Sequence, residues 1–84
     1  MKKWRVDFFD TDPTTLETKR IPCWEFDGKQ VVELHWEAEW YRKIAWGEEL
    51  EWLTPKDGMK FMRALRHNVR GTFIGASDPY EVDG

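Results

Sequence analysis

Cys23 and His35 are the first residues to consider for chemistry, because a thiol nucleophile needs a base within hydrogen-bond distance. Cys23 is the only cysteine of the 84 residues. Both residues fall in a predicted β-hairpin, whose register places them on opposite faces. We therefore expect Cys23 to be a buried structural residue. We predict no catalytic residue and no enzymatic activity.

Metal and cofactor sites are also poorly supported by the sequence. One cysteine and two histidines, without paired spacing, do not complete a four-ligand zinc site. The segment Asp10-Thr11-Asp12 resembles part of a cation-binding loop, but the terminal glutamate of such a loop does not follow. Side chains that form a turn explain this segment better. No glycine-rich phosphate loop follows a predicted strand. We predict no metal and no cofactor.

A row of basic side chains is the first candidate binding surface. Residues 54–71 predict an amphipathic helix, spanning about 55–69, with Thr54 as its N-cap and Gly71 ending it. The basic side chains fall opposite the apolar ones. They form a basic stripe that consists of Lys56, Lys60, Arg63, His67 and Arg70.

The basic stripe has two interpretations. It is either a solvated face that balances the acids of residues 37–51, or a docking surface. If it docks a partner, a protein with an acidic patch is favoured over nucleic acid. The whole chain has a net charge of −3, so a long polyanion would meet repulsion beyond this helix.

A hairpin over residues 17–36 provides the second candidate surface. Asp27-Gly28 predicts a two-residue turn, which would pair Phe26 with Lys29. Pro22 places the first strand of the hairpin at an edge or at a bulge. One predicted face meets the core and contains Ile21, Cys23, Val32, Leu34 and Trp36. The opposite face carries an apolar patch for a partner or a second subunit, which consists of Trp24, Phe26 and Val31.

The remaining elements complete an α+β fold. Residues 3–9 alternate as a half-buried strand, with Trp4, Val6 and Phe8 on its core face. A first helix is predicted at about 37–46, because apolar residues repeat at helical spacing and Gly47 follows them. These apolar residues, which are expected to face the core, are Trp36, Trp40, Tyr41, Ile44 and Ala45. Residues 72–76 are prone to form a strand. We expect one small antiparallel sheet of three to four strands, with two helices packed on one face. Residues 1–78 form the predicted single domain, and 79–84 a frayed acidic tail.

Composition limits the function classes. The apolar fraction of 40% is that of a globular protein, and the sequence has no transmembrane segment or signal peptide pattern. A single cysteine suits a reducing compartment, so we expect a cytoplasmic protein. Our first hypothesis is a small protein-interaction or regulatory module, which could also self-associate. The alternatives are nucleic-acid or phosphate binding by the basic stripe, and a small-ligand pocket lined by tryptophans between the first helix and the sheet.

Overall fold

The computed structural model describes residues 2–47, 57–66 and 74–83. Within these residues the chain forms an antiparallel five-stranded sheet and two helices, which confirms the predicted α+β class. Both helices contact the same face of the sheet, as predicted. The elements in chain order are β1 (Lys2–Thr11), β2 (Thr18–Phe26), β3 (Val31–Glu33), α1 (Trp36–Trp46), α2 (Gly58–Arg66), β4 (Ile74–Ala76) and β5 (Tyr80–Asp83).

Strand β1 is the centre of the sheet. It pairs with β2 along one side, and on its other side with β5 near its start and β4 near its end. Ser77 bridges the gap between β4 and β5: its N–H donates to the Asp7 carbonyl at 2.9 Å, and its hydroxyl accepts from the Asp7 N–H at 2.8 Å. The predicted frayed tail was therefore wrong for residues 80–83. This segment satisfies backbone groups of β1 that would otherwise form an open edge.

A β-bulge lies at Pro22, one of the two positions that the sequence predicted for this residue. Asp7 pairs with Pro22 whereas the preceding Val6 pairs with Trp24, so Cys23 is the extra residue. The bulge reverses the alternation of β2. Cys23 and Trp24 are consecutive, yet both are fully buried.

The turn between β2 and β3 differs from the prediction. Phe26 pairs with Val31 rather than with Lys29, so the connection is a four-residue loop. The Asp27 carboxylate closes it by accepting the N–H groups of Lys29 and Gln30 at 2.8 and 2.9 Å. Gly28 has a φ of 96°, which glycine adopts without strain. The predicted two-residue turn was wrong, because this side-chain capping competes with the tighter geometry.

Helix α1 begins and ends at well-formed caps. The His35 imidazole accepts the Glu37 N–H through Nδ1 at 3.2 Å, and the Gly47 N–H donates to the Lys43 carbonyl at 2.9 Å. Gly47 has a φ of 57°, which glycine adopts without strain. The predicted first helix is confirmed. The predicted second helix is confirmed for Gly58–Arg66, and its predicted start at Thr54 and end near Gly71 lie outside the described residues.

The core lies between the helices and the sheet. Phe8 and Trp24 meet the Tyr41 ring edge to face, with ring centroids 5.7 and 5.6 Å apart. The Tyr41 hydroxyl donates to the Leu65 carbonyl at 3.1 Å, which joins α1 to α2. Helix α2 contributes Phe61, Met62 and Leu65.

Candidate functional site

The described part of the basic stripe lies on the outer face of α2. Lys60 and Arg63 are exposed, as the helical spacing predicts. Lys56, His67 and Arg70 lie outside the described residues. Binding of an acidic partner by the stripe stays a prediction.

The predicted apolar patch is buried instead of exposed. Trp24 is fully enclosed, and its indole N–H donates to the Glu33 carboxylate at 2.9 Å. Phe26 is buried and packs against Trp4, with ring centroids 5.8 Å apart. Val31 packs against the same core. The prediction of an exposed patch was wrong, because the bulge turns Trp24 and Phe26 to the side of Val6 and Trp4.

The same bulge exposes residues that the sequence assigned to the core. Ile21 and Cys23 do lie on the core side, but Val32 and Leu34 are exposed. Trp36, which was also predicted to face the core, is 70% exposed. The assignment of these three residues to the core was therefore wrong.

Three large apolar side chains line one flank of α1. Trp36, Trp40 and Ile44 are spaced four residues apart, which places them along one line on the helix surface. Trp40 is 42% exposed and Ile44 45% exposed. We call Trp36, Trp40 and Ile44 the α1 stripe. Of the six large exposed hydrophobic residues in the described part of the chain, five lie between positions 32 and 44.

The buried face of α1 explains why the stripe is left outside. The helix meets the core through Ala38, Tyr41 and Ala45, and the stripe lies to one side of this face. Trp40 still contacts the core, because its ring meets Phe8 edge to face at 6.0 Å. The stripe is thus attached to the core rather than projecting freely, and an indole loses little conformational entropy when it binds.

Charged side chains border the α1 stripe. Glu39 and Lys43 form an ion pair at 2.9 Å across one helical turn. The hydrogen bond from Lys43 and its positive charge lower the pKa of the Glu39 carboxyl. On the side of the helix away from the stripe, Arg42 donates twice to Glu33, at 3.1 Å in each case. The helix is therefore acidic in its first turn and basic in its last. An apolar strip with a polar border is the usual composition of a protein interface.

Cys23 is buried, and His35 has a structural role at the start of α1. Burial raises the pKa of the Cys23 thiol to about 11, so the thiolate is disfavoured at neutral pH. His35 uses Nδ1 to cap α1. Asp12 likewise serves a turn, since its carboxylate accepts the Thr14 N–H at 2.7 Å.

Neither clustered metal ligands nor a membrane-spanning helix is present in the described part of the chain. Within residues 2–47, 57–66 and 74–83, no group of three or more His, Cys, Asp or Glu side chains is placed to hold a metal ion. In the same ranges no helix has the length and apolar character needed to cross a membrane.

The sheet face away from the helices carries a network of paired charges. Arg5 donates to Glu25 at 2.9 Å, which lowers the pKa of the Glu25 carboxyl. Asp7 accepts from Arg20 at 3.3 Å and from the Tyr80 hydroxyl. Burial, and then the hydrogen bond to Asp7, raise the pKa of Tyr80 to about 12. These polar groups already form hydrogen bonds and ion pairs with one another, so this face is a weaker candidate for binding a partner than the α1 stripe.

A groove of about 490 Å³ lies beside α2. Its walls include Trp4 and Met59, two arginines and two acids, and Arg66 is paired with Asp78 at 3.0 Å. The opposite charges balance, so the groove has no clear preference for an anion. The sequence predicted a tryptophan-lined pocket between the first helix and the sheet. In the structure, the rings of Phe8, Trp24 and Tyr41 pack against one another there.

Three surfaces formed by the described residues are therefore candidates for binding. They are the α1 stripe, the described part of the basic stripe and the groove beside α2. The helical spacing of Trp36, Trp40 and Ile44 is the signal for the α1 stripe in the sequence, although these residues were expected to face the core. No protein-family model matches this chain, and neither a curated protein nor a solved structure matches it.

Proposed function

We propose that this protein is a small protein-interaction module that binds its partner through the α1 stripe. The observation that carries the proposal is the exposure of two tryptophans and an isoleucine along one line of α1. Single exposed hydrophobic residues are common on protein surfaces and need no explanation. A line of three is different, because burying it on a partner would remove a continuous apolar strip from water.

The chemistry of the stripe favours a protein over other ligands. Tryptophan is the residue type most enriched at the energetic centres of protein interfaces, and it is usually surrounded there by residues that exclude water. Glu39 and Lys43 are placed to provide such a border. A nucleic acid would require a basic surface, whereas the border of the stripe contains both signs of charge.

We further propose that the protein acts in the cytoplasm and has no catalytic activity of its own. The support for the location is the single buried cysteine, which fits a reducing compartment. The basic stripe is the second candidate surface, supported by the exposure of Lys60 and Arg63 on α2. It would serve an acidic protein or phosphates independently of the α1 stripe.

The test is a pull-down from an extract of the source organism, with the tagged protein as bait. The double variant Trp36→Glu/Ile44→Glu places two charges on the stripe, at positions exposed enough to accept them without unfolding. The control is Leu16→Glu, since Leu16 is 69% exposed and lies between β1 and β2, outside the stripe.

We expect the parent and the control to retain the same bound protein and the double variant to lose it. An untagged copy of this chain counts as a bound protein. Equal retention by all three baits would refute binding through the stripe. If Lys60→Glu/Arg63→Glu loses the protein instead, the basic stripe is the binding surface. Recovery of nucleic acid in place of protein with the parent bait would favour the nucleic-acid alternative.

A further inference from the structure

We infer that the partner of the α1 stripe is a second copy of this chain, with the two α1 helices packed antiparallel about a two-fold axis near Trp40. This inference rests on the proposed function and names its partner. A two-fold interface uses the same patch on both subunits, so the patch must be complementary to itself. The α1 stripe meets that requirement in both shape and charge.

The apolar residues are symmetric about Trp40. Trp36 lies four residues before it and Ile44 four residues after it. In an antiparallel pair of helices, Trp40 therefore faces Trp40 of the second copy, and each Trp36 faces Ile44 of the other. The stripe spans about 12 Å at 1.5 Å per residue, so the three contacts fit along one straight helix pair.

The charges beside the stripe select the antiparallel orientation. Glu39 and Lys43 border the stripe on the same side, and their midpoint is one residue from Trp40. Antiparallel packing keeps this side of the two stripes together and brings Glu39 of each copy towards Lys43 of the other, whereas parallel packing would place the two pairs on opposite sides of the interface. The helix dipoles also oppose one another in the antiparallel pair, which is the favourable arrangement.

The size of the stripe sets the expected strength of the dimer. A standard interface buries roughly 800 Å² on each partner. Trp36 and Trp40 are partly exposed and would each contribute only a fraction of the roughly 150–250 Å² that a buried aromatic side chain covers. The stripe thus provides the centre of a small interface. We expect a dissociation constant on the order of 1–100 μM.

The first experiment is sedimentation equilibrium of the purified full chain, from about 1 μM to 1 mM to bracket that constant. The mass should rise from 10.1 kDa towards twice that value. Trp36→Glu/Ile44→Glu should raise the dissociation constant by about 100-fold or more, since each lost contact occurs twice in a two-fold interface. The control Leu16→Glu should dimerise like the parent.

A second experiment tests the orientation without touching the apolar residues. Glu39→Lys places two lysines beside the stripe, and Lys43→Glu places two glutamates there. Each variant alone should dimerise more weakly than the parent, by about tenfold. An equimolar mixture of the two should recover the dimer, because every pair across the interface is then of opposite charge. Simple unfolding by either substitution would not be rescued by mixing.

The outcomes separate this inference from the proposed function. If the parent remains monomeric up to about 1 mM, the partner of the α1 stripe is not a second copy of this chain. If the pull-down still shows a different protein that depends on the stripe, the proposed function stands. A dimer that survives Trp36→Glu/Ile44→Glu, or a mixture of the charge variants that shows no recovery, also refutes the inference, since the copies then meet elsewhere.

Discussion

Substituting Gly58 by alanine tests how closely α2 packs on the hairpin. An added Cβ would lie 2.0 Å from Cε1, 2.3 Å from Cδ1 and 2.5 Å from Cζ of the Phe26 ring. Carbon atoms in contact prefer separations of about 3.5–4.0 Å, so the ring or the helix must move by roughly 1.5 Å. Phe26 is poorly placed to yield, because it pairs with Trp4 on β1 and with Val31 on β3.

The magnitude follows from two opposing effects. Overpacking of a core costs about 1–3 kcal/mol, and the short distances here favour the upper half of that range. Alanine is the better helix former by up to about 1 kcal/mol, which offsets part of the cost. We therefore expect Gly58→Ala to lower the free energy of unfolding by about 1–2 kcal/mol. In a domain of this size, this lowers Tm by roughly 4–16 °C.

The assay is urea denaturation followed by tryptophan fluorescence. Lys60→Ala provides the control, since Lys60 is exposed on the same helix and should change stability by less than about 0.5 kcal/mol. Adding Phe26→Leu to Gly58→Ala should cost less than the sum of the two single changes, because the smaller side chain makes room for the methyl group. A Gly58→Ala protein as stable as the parent would refute this packing of α2.

Three further predictions concern other parts of the chain. Cys23→Ala should lower the free energy of unfolding by about 1 kcal/mol, because it leaves a small cavity. The Cys23 thiol should react with iodoacetamide more slowly in the native protein than in urea, and rapid alkylation of the native protein would contradict the burial of Cys23. Tyr41→Phe should cost about 0.5–1.5 kcal/mol in urea denaturation, because it removes the hydrogen bond to Leu65; an unchanged midpoint would count against that bond. Lys60→Glu/Arg63→Glu should keep the circular dichroism spectrum of the parent, and a protein that no longer folds would show that these side chains do more than form an outer face.

Local patterns were sufficient to predict much of the fold. The alternation of Val6 and Phe8 identified β1 and its core face, since a strand buries every second residue. The helical spacing of apolar residues and the following Gly47 identified α1. Both patterns depend on residues that are close together in the sequence, so they predict an element without knowledge of its tertiary contacts.

The errors about the faces of the hairpin and about β5 have a non-local cause. The bulge at Pro22 was foreseen, but its effect on alternation depends on how β2 pairs with β1, which lies in another part of the sequence. That pairing decides whether Trp24 or Val32 is buried. Strand β5 was missed for a related reason, because Tyr80–Asp83 is short and forms a strand by pairing with the free edge of β1.

The α1 stripe was missed because the periodicity of apolar residues does not show whether a helix face packs on the core or faces solvent. The spacing of Trp36, Trp40 and Ile44 correctly indicated one line on a helix, and such a line usually belongs to the core. Here the smaller residues Ala38 and Ala45 face inward with Tyr41. Alanine allows close approach of the helix to the sheet, and the large residues remain at the side.

The α1 stripe as a protein-binding surface is the central claim, and site-specific photo-cross-linking tests it most directly. A benzophenone amino acid at position 36 replaces the most exposed residue of the stripe, and the same group at position 16 provides an equally exposed control. Irradiation in the cells of origin should give a protein adduct from position 36 in high yield and little from position 16. Equal yields from the two positions, or no protein adduct from position 36, would contradict the claim.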